Sequence, residues 1–413
     1  MLTRLHTPVG TELAGVATPV GSGLRTGSQN LSFQQRIEYN RPPALRQRSG
    51  LWARMNAELL IDFSEFWTRL SEDIQSARES VFIQTFALEG DVVGQQLAEA
   101  LLRSTAGDKR ILADSFTRVV LSDRFRYSPA NLCDPELRRE ARATSAMMRR
   151  LADAGVAIKF TNPFGFSPRR VLSRNHKKLI VVDNHFAYIG GINFSDHNAA
   201  WHDMMMRIEG EAAAEFLRHD FLSTWQGRDR VAEARLEGIE LYTLDGHEYR
   251  QAFQRVMELI DTARQSIFVQ SPYITFPFYE RLRQATNRGV TVKVLTPAQN
   301  NWSFFSNYAR LESAWSQIDL RLFKGGMSHL KAMLIDDEHL IAGSSNFDYF
   351  SYRIHQEILA VVTLPNVISE FCLRVMVPDF VNAESVKCRA SSASKQWLSW
   401  KVKLLDAAMT ILT

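Results

Sequence analysis

The chain carries one pattern of residues twice, and this internal duplication limits its possible folds more than any other feature. Residues 175–193 read NHKKLIVVDNHFAYIGGIN, and residues 329–346 read HLKAMLIDDEHLIAGSSN. Four residues have a counterpart of the same type 153 positions further along the chain, namely His176 with His329, Lys178 with Lys331, Asp183 with Asp336, and Asn193 with Asn346. Such self-similarity predicts two copies of one structural unit, each contributing the same side chains.

A second stretch repeats at a different distance, which reveals an insertion in the first half. ARESVFIQTFAL at 77–88 matches ARQSIFVQSPYI at 263–274, 186 residues later. Because the two motifs lie only 153 residues apart, the first half has 33 more residues between its opening strand and its motif. We place this surplus within 89–175, roughly at 115–147, where an insertion either borders the site or lies on the surface.

The order of apolar patterns predicts an α/β fold in both halves. Each half begins with a helix and a strand, followed by a further helix and a further strand. We place these later strands at 154–160 and 288–296 and treat them as counterparts. Another strand follows each motif, at 204–210 and 357–363, and a helix follows that strand.

These patterns divide the chain into three parts. Residues 1–48, rich in Gly, Thr, Ser, Pro and Arg, are interpreted as a mobile tail. Residues 49–235 form the first lobe and 236–413 the second. The second lobe ends in QWLSWKVKLLDAAMTILT, an amphipathic helix that either packs on protein or lies at a membrane interface.

The residue types in the repeated motif suit the binding of a phosphate. Residues two apart on a strand point to the same face, so the His and Lys of each motif project together. Small residues after the strand, at 190, 191, 343 and 344, let the backbone approach a bound group, and the asparagines add amide donors. An imidazole, an ammonium and an amide form a set that suits phosphate oxygens.

Two such sets can perform chemistry on one phosphate. One imidazole can attack phosphorus while the other protonates the leaving oxygen, and the lysines can stabilise the charge of the transition state. Histidine suits both roles because its pKa lies near neutrality. This chemistry needs no metal, and no carboxylate cluster suited to hold one is apparent in the sequence.

Composition and charge are compatible with an anionic partner without identifying it. The 413 residues carry a net charge of +4, and the pI is about 8.9. The three cysteines show no metal-binding spacing and indicate a reducing, cytosolic type of compartment. The sequence contains no apolar run long enough to predict a membrane-spanning helix, and its N-terminus lacks the apolar core of a secretory signal.

The repeated HxKxxxxD pattern, followed by small residues and Asn, resembles the phospholipase D superfamily over about residues 60–380. Among its members the chain is most similar to bacterial cardiolipin synthases, on the stretches RNHKKLIVVDNHFAYIGGINFSDH, WHDMMMRIEG and VQSPYITFPFYERLRQATNRGVTVKVLTP. The resemblance implies an α/β fold of two similar lobes, each a mixed sheet flanked by helices, with the active site at the lobe interface.

The resemblance also implies a role for each motif residue. His176 would be the nucleophile and His329 the general acid. The groups implied to bind the phosphate are Lys178, Lys331, Asn193 and Asn346, with Ser344 and Gly191 close to it. Asp183 and Asp336 would brace their loops, and Glu357 and Asp203 would each hold the histidine of the opposite lobe. We assign the other histidines to structure or surface: His6, His185, His197, His202, His219, His247, His339 and His355.

The leading functional hypothesis is phosphatidyl transfer between phospholipids, as in cardiolipin synthesis, through a covalent phosphohistidine. Phosphatidylglycerol or a similar phospholipid would be the substrate, without a cofactor. The protein would work in the cytoplasm, bound peripherally to the inner membrane. Two alternatives share the chemistry: a hydrolytic phospholipase D, and a metal-independent nuclease, which the near balance of acidic and basic residues disfavours.

Overall fold

Two α/β lobes follow one another along the chain, each centred on its own sheet. The structure is a computed structural model that describes residues 56–165, 171–228, 231–246, 249–314 and 316–386. The predicted tail at 1–48 and the predicted C-terminal amphipathic helix lie outside these residues. Within the described ranges, every helix is too short or too polar to cross a bilayer.

A mixed sheet of seven strands forms the centre of the first lobe. The strands of this lobe are β1 (Asn56–Ile61), β2 (Ser80–Thr85), β3 (Asp108–Asp114), β4 (Val120–Leu121), β5 (Arg124–Phe125), β6 (Ala157–Thr161), β7 (Leu179–Val182), β8 (Phe186–Gly190) and β9 (Met204–Glu209). They lie in the order β1-β9-β8-β7-β2-β3-β6, while β4 and β5 form a separate hairpin. The strands β2, β3 and β6 run parallel, and the others pair antiparallel.

Helices pack against this sheet and bury its apolar residues. They are α1 (Asp62–Ser76), α2 (Val92–Arg103), α3 (Pro135–Asp153), α4 (Asp196–Ala199) and α5 (Glu211–Trp225), with a 3-10 turn at Ser115–Arg118. In α1, Phe66, Leu70 and Ile74 recur every four residues and are fully buried. Asp134 caps α3 by accepting hydrogen bonds from the N–H groups of residues 136 and 137.

The second lobe has a larger sheet with the same central arrangement. Its strands are β10 (Ala232–Leu236), β11 (Ile239–Leu244), β12 (Ser266–Gln270), β13 (Thr291–Pro297), β14 (Asp319–Phe323), β15 (Ala332–Ile335), β16 (His339–Gly343), β17 (Glu357–Val362) and β18 (Glu384–Ser385). They lie in the order β10-β11-β17-β16-β15-β12-β13-β14-β18. The helices are α6 (Tyr249–Thr262), α7 (Phe278–Asn287), α8 (Ser303–Ser313), α9 (Tyr349–Arg353), α10 (Pro365–Phe371) and α11 (Val377–Val381), with a π-helical turn at Cys372–Met376.

The predicted class of two similar α/β lobes with mixed sheets is confirmed, but one predicted strand correspondence is wrong. β13 pairs in parallel with β12 as β3 pairs with β2, so β3 is the counterpart of β13. The strand predicted at 154–160 is β6, whose counterpart is β14. β3 escaped detection because its first residues, Asp-Lys-Arg, are polar and only its second half is buried. The predicted boundary between residues 235 and 236 falls inside β10, which belongs to the second sheet.

The surplus of the first lobe lies mainly between β3 and β6. Residues 115–156 make this connection and contain the hairpin β4-β5 and the long helix α3. Its counterpart between β13 and β14 spans only 298–318 and contains α8. The rest of the surplus lies mostly in the longer segment between β6 and the first motif.

Backbone hydrogen bonds join the lobes next to both motif histidines. The His176 N–H donates to the Gln356 carbonyl at 2.9 Å, and the His329 N–H donates to the His202 carbonyl at 2.7 Å. Each bond belongs to a short bridge that pairs 175 with 356 or 202 with 328. These bridges place both motifs at the interface between the lobes.

Candidate active site

The two motifs enter their sheets at equivalent places. In each lobe the His and Lys lie immediately before a short apolar strand, β7 or β15, whose residues are all buried. That strand pairs antiparallel with the central strand β2 or β12. The apolar run therefore anchors the chain in the core, and the preceding His and Lys project at the end of the sheet where the other lobe begins.

Each histidine is held by a carboxylate from the opposite lobe. His176 Nδ1 lies 3.0 Å from Glu357 Oε1 and 3.2 Å from Oε2. His329 Nδ1 lies 2.7 Å from Asp203 Oδ2. A carboxylate on Nδ1 fixes the proton there and leaves Nε2 of each ring for a substrate.

Both carboxylates are buried and held by further hydrogen bonds. Glu357 is 0% exposed and accepts hydrogen bonds from the hydroxyls of Ser344 at 2.5 Å and Ser351 at 2.9 Å. Asp203 is 2% exposed and accepts the Met204 N–H at 2.8 Å. Both acids lie at the start of a strand, β17 or just before β9, so the sheets fix their positions.

The difference between Gly191 and Ser344 follows from these acids. A Cβ atom on Gly191 would come within 2.2 Å of the Asp203 carboxylate, so only glycine leaves room for the acid. The equivalent Ser344 in the second lobe hydrogen-bonds to its acid instead. Both residues, expected near the phosphate, contact the carboxylates that hold the histidines.

The two lysines are almost fully buried beside the histidines. Lys178 Nζ donates to the His176 carbonyl at 2.9 Å. Lys331 Nζ donates to the His329 carbonyl at 2.5 Å and lies 2.8 Å from His329 Nδ1. Each ammonium group therefore lies beside the histidine of its own motif, and the two lysines are close enough for Lys331 to repel the charge of Lys178.

Burial lowers the pKa values of all four groups, and repulsion by neighbouring positive charges adds to this effect in three of them. Burial and the two lysines bring the pKa of His176 well below its usual value. Burial and Lys331 lower the pKa of His329 to about 4. Burial lowers the pKa of Lys331 to about 8 and, together with repulsion by Lys331, lowers that of Lys178 as well. The site without a ligand thus holds neutral imidazoles and ammonium groups that lose protons easily, as expected of a place built for an anion.

The two motif asparagines are both buried. The side-chain oxygen of Asn193 accepts hydrogen bonds from the Ala87 N–H at 3.3 Å and the Thr85 hydroxyl at 3.4 Å. The hydrogen bonds that this oxygen accepts fix the orientation of the Asn193 side-chain amide. Asn346 is equally buried, and no partner of its side-chain oxygen is found among the described residues.

The two motif aspartates lie at the far end of the strands from the histidines. Asp183 accepts hydrogen bonds from the backbone N–H groups of residues 78, 79 and 80, at 2.7 to 2.9 Å. Asp336 accepts from residues 264, 265 and 266 in the same way. The carboxylates therefore join the turn after β7 or β15 to the start of β2 or β12.

Several residues at the site were not predicted from the sequence. Three of the histidines assigned to structure or surface border it, namely His197, His202 and His355. The His355 ring lies 5.9 Å from that of His176, and Trp201 lies 4.9 Å from His329. Phe86 packs 5.0 Å from His176. His197, Trp201, His202 and His355 lie shortly after the motifs in the sequence, but they match no part of the repeated pattern, so the repeat did not indicate their positions.

A second group that sequence analysis missed holds the residue before His176. Asp114, at the end of β3, accepts the Asn175 N–H at 2.6 Å and an Arg174 N–H at 3.2 Å. Gln84 donates to the Asn175 side chain at 2.8 Å. Gln84 has a counterpart in Gln270, so the repeat marked this position without revealing its contact.

Three carboxyl groups also meet outside the motifs, although the sequence showed no such cluster. The acid oxygens of Glu89, Asp91 and Glu140 lie within 4.8 Å of one another. Burial and the neighbouring Glu140 raise the pKa of Glu89 to about 9, so this carboxyl is protonated at neutral pH. A shared proton between these acids accounts for their close approach.

Two α/β lobes that face each other through paired His/Lys motifs define a phospholipase D-like protein. A family model described as the PLD-like domain of cardiolipin synthase matches residues 70–225 and 256–372. These matches cover more than half of the chain, and the chain belongs to this family.

Curated relatives support the same assignment. Cardiolipin synthase 1 of Staphylococcus epidermidis is 23% identical over 352 residues, which are 77% of this chain and 66% of the relative. Cardiolipin synthase A of Pseudomonas putida is 27% identical over 366 residues, 82% of this chain and 71% of the relative. The chain thus spans slightly less than two thirds of the length of the first relative and slightly more than two thirds of the length of the second.

Solved structures share the fold at low sequence identity. Phosphatidylserine synthase from Haemophilus influenzae aligns with a TM-score of 0.61 and 14% identity, over 86% of this chain and 94% of its own. Polyphosphate kinase from Porphyromonas gingivalis aligns with a TM-score of 0.53 and 12% identity, over 84% of this chain and 53% of its own. The two-lobed architecture therefore occurs in proteins with different named activities.

Proposed function

We propose that the chain transfers a phosphatidyl group between phospholipids, the reaction of cardiolipin synthesis. One observation carries the proposal: each motif histidine bonds to a buried carboxylate of the other lobe, with both lysines beside them. This arrangement presents two imidazole Nε2 atoms and two ammonium groups to one phosphate. The similarity to named cardiolipin synthases supports a phospholipid as the donor.

The first half-reaction releases the head group of the donor. His176 Nε2 attacks phosphorus, an N–P bond forms, and the bond from phosphorus to the head-group oxygen breaks. Glu357 stabilises the positive charge that develops on the imidazole. The negative charge of the bound phosphate lets His329 carry a second proton, on Nε2, and His329 gives this proton to the departing oxygen. Lys178 and Lys331 stabilise the phosphoryl oxygens.

The second half-reaction uses the same groups in reverse. The hydroxyl of a second phospholipid transfers its proton to His329 and attacks phosphorus, and the N–P bond to His176 breaks. With phosphatidylglycerol in both roles, the products are cardiolipin and glycerol. The lysines and the asparagines, Asn193 and Asn346, bind the phosphate in both steps.

Replacement of the nucleophile tests this mechanism. His176→Asn in the full chain should reduce cardiolipin formation from phosphatidylglycerol vesicles by about a thousandfold or more, as with other nucleophile deletions. Mass spectrometry of the lipids and of the released glycerol measures the effect. His185→Asn, at an exposed histidine outside the site, is the matched control and should keep wild-type activity.

The results also separate the competing functions. Cardiolipin synthesis that survives in His176→Asn would refute His176 as nucleophile. A wild type that produces phosphatidic acid and no cardiolipin would instead be a hydrolytic phospholipase D, because water then accepts the phosphatidyl group. A wild type that leaves lipids unchanged but cuts plasmid DNA in EDTA would be a nuclease.

We further propose that the protein acts as a peripheral protein on the cytoplasmic face of the cell membrane. The substrates of the proposed reaction reside in the bilayer, and the charge of +4 favours an anionic lipid surface. Exposed aromatic side chains, among them Phe125, Tyr127, Trp302 and Phe304, are suited to the interface region of a bilayer. Sedimentation with phosphatidylglycerol vesicles, but not with phosphatidylcholine vesicles, is the expected behaviour.

A further inference from the structure

The walls beside the two motif histidines differ in polarity. Phe86 lies beside His176 and stacks on Phe116 at 4.8 Å, so two apolar rings form one side of that wall, while His355 lies 5.9 Å from His176. Beside His329 lie Trp201 at 4.9 Å and Tyr273 at 6.2 Å. The Tyr273 hydroxyl begins a series of polar groups, whereas the phenyl rings of Phe86 and Phe116 carry no hydrogen-bonding atom.

These polar groups join the insertion of the first lobe to the second lobe. The Tyr273 hydroxyl donates to Asn301 Oδ1 at 2.6 Å, and Asn301 Nδ2 donates to Asp123 Oδ2 at 3.2 Å. The other oxygen of Asp123 lies 3.7 Å from His197 Nε2. Asp123 occupies the turn between β4 and β5 with a positive φ of 58°, so the hairpin geometry directs it across the interface.

Asp123 is ionised and partly open to ligands. Burial would raise its pKa, but His197, Asn301 and His329 together hold the pKa of Asp123 below its usual value. Its side chain is 43% exposed, so an oxygen can still accept a hydrogen bond from a ligand. An ionised carboxylate here accepts from hydroxyl groups and repels further anions.

The chemistry of phosphoryl transfer assigns a ligand to this wall. The attacking and leaving atoms lie roughly in line through phosphorus, so the leaving alcohol must lie on the side opposite His176. The incoming alcohol occupies the same place in the reverse direction. If His329 is the acid, as in the proposed function, that place lies beside Trp201 and Tyr273.

We propose that Asp123, Asn301 and Tyr273 form the alcohol subsite, which binds the glycerol-type hydroxyls of the departing head group and of the acceptor. The carboxylate accepts from a free hydroxyl of the glycerol, and the wall orients its reacting hydroxyl toward His329 Nε2. This inference rests on the proposed function, since it takes His329 as the acid.

Exchange of labelled glycerol tests the subsite. The full chain is incubated with phosphatidylglycerol vesicles and deuterated glycerol, and mass spectrometry gives the ratio of labelled phosphatidylglycerol to phosphatidic acid. Asp123→Asn should lower this ratio about tenfold, because a hydrogen bond to a charged group is lost. Asn301→Ala should lower it in the same direction, and the exposed Asp153→Asn should keep the wild-type ratio.

The outcomes are distinct. The proposal is overturned if the ratio of labelled phosphatidylglycerol to phosphatidic acid is unchanged in both Asp123→Asn and Asn301→Ala. It is also overturned if exchange and hydrolysis fall equally in variants that circular dichroism shows to be folded. A parallel arm with labelled ethanolamine separates ligand classes: a larger loss for ethanolamine than for glycerol assigns the carboxylate to an ammonium group and also overturns it. If the wild type exchanges glycerol but makes no cardiolipin, the proposed function is refuted. The exchange ratios of the variants can still be compared with the wild type, so the subsite is tested independently.

Discussion

At the scale of single residues, the charges of the site are balanced for a ligand that brings negative charge. Burial and Lys331 lower the pKa of His329 to about 4, and burial lowers that of Lys331 to about 8. A phosphate placed among these groups removes much of that penalty, because it attracts both ammonium groups and any imidazolium. The same groups must then hold protons more tightly with the ligand than without it.

This linkage predicts that anion binding takes up protons. Groups whose pKa is depressed in the empty site and raised by the anion gain protons on binding. For Lys331 this uptake is largest above pH 8, between its pKa of about 8 in the empty site and its higher pKa beside the anion. Titration calorimetry with inorganic phosphate, in two buffers of different ionisation enthalpy, measures the number of protons. Lys331→Met should reduce the uptake, and net proton release by the wild type would contradict the expectation.

The sequence was most informative about residues that recur in register. The repeat singled out His176 and Lys178 with their counterparts, and the family resemblance added Asp203 and Glu357. Trp201, Tyr273 and Asp123 could not be predicted, because their proximity to His329 arises from loops of separate elements that meet only in the folded chain. Three histidines assigned to structure or surface border the site as well, because the segments after the motifs fold back beside them.

At the scale of elements, the motif aspartates stabilise the hairpins that carry the histidines. The turns after β7 and β15 have two consecutive residues with positive φ, Asp183 and Asn184 in the first lobe and Asp336 and Asp337 in the second. Asp and Asn tolerate this conformation, and it matches the twist of a two-residue hairpin. Each first aspartate also accepts three backbone N–H groups from the start of the neighbouring strand.

Asp183→Ala should therefore lower stability more than it alters the chemistry. Three N–H groups lose a charged acceptor, and we expect a loss of about 2 kcal/mol in the free energy of unfolding. Urea denaturation followed by circular dichroism measures it. Asp153→Ala, at an exposed helix end, should differ little from wild type, and equal stability of the two variants would rule out a bracing role for Asp183.

The elements themselves were only partly predictable. Strands with apolar or alternating patterns, such as β2, β9 and β17, lie where the sequence placed them. β3 and β14 were missed, because Asp-Lys-Arg and Asp-Leu-Arg at their starts resemble loop residues while tertiary pairing supplies the strand. The large insertion was detected by counting, yet its hairpin and its reach to Asn301 depend on tertiary contacts that no local pattern encodes.

At the scale of the whole molecule, His202 links the first lobe to the end of the second. Its Nδ1 lies 2.7 Å from Asp62 Oδ1 at the start of α1, and its Nε2 lies 2.8 Å from Asp379 Oδ2 in α11. Although burial opposes the charge, the two carboxylates raise the pKa of His202 to about 10. An imidazolium between two carboxylates thus connects α1 to α11.

This link predicts a pH dependence of stability. Because the folded-state pKa lies above the usual value near 6.5, the stabilisation is fully present below pH 6.5 and declines until pH 10. His202→Asn should therefore lower the urea midpoint most at pH 6, and the difference from wild type should shrink toward pH 10. A difference that grows with pH would show that His202 is not charged in the folded protein.

The hairpin β4-β5 makes the two sides of the proposed reaction axis different. In a dimer of identical lobes, symmetry would place one such hairpin beside each histidine, and the two would be interchangeable. Here both lobes belong to one chain, so only one histidine has Asp123 and Asn301 nearby. Two copies in one chain can therefore differ where two identical subunits could not, and under the proposed function this difference distinguishes the side of the phosphate that faces the alcohol from the side that faces His176.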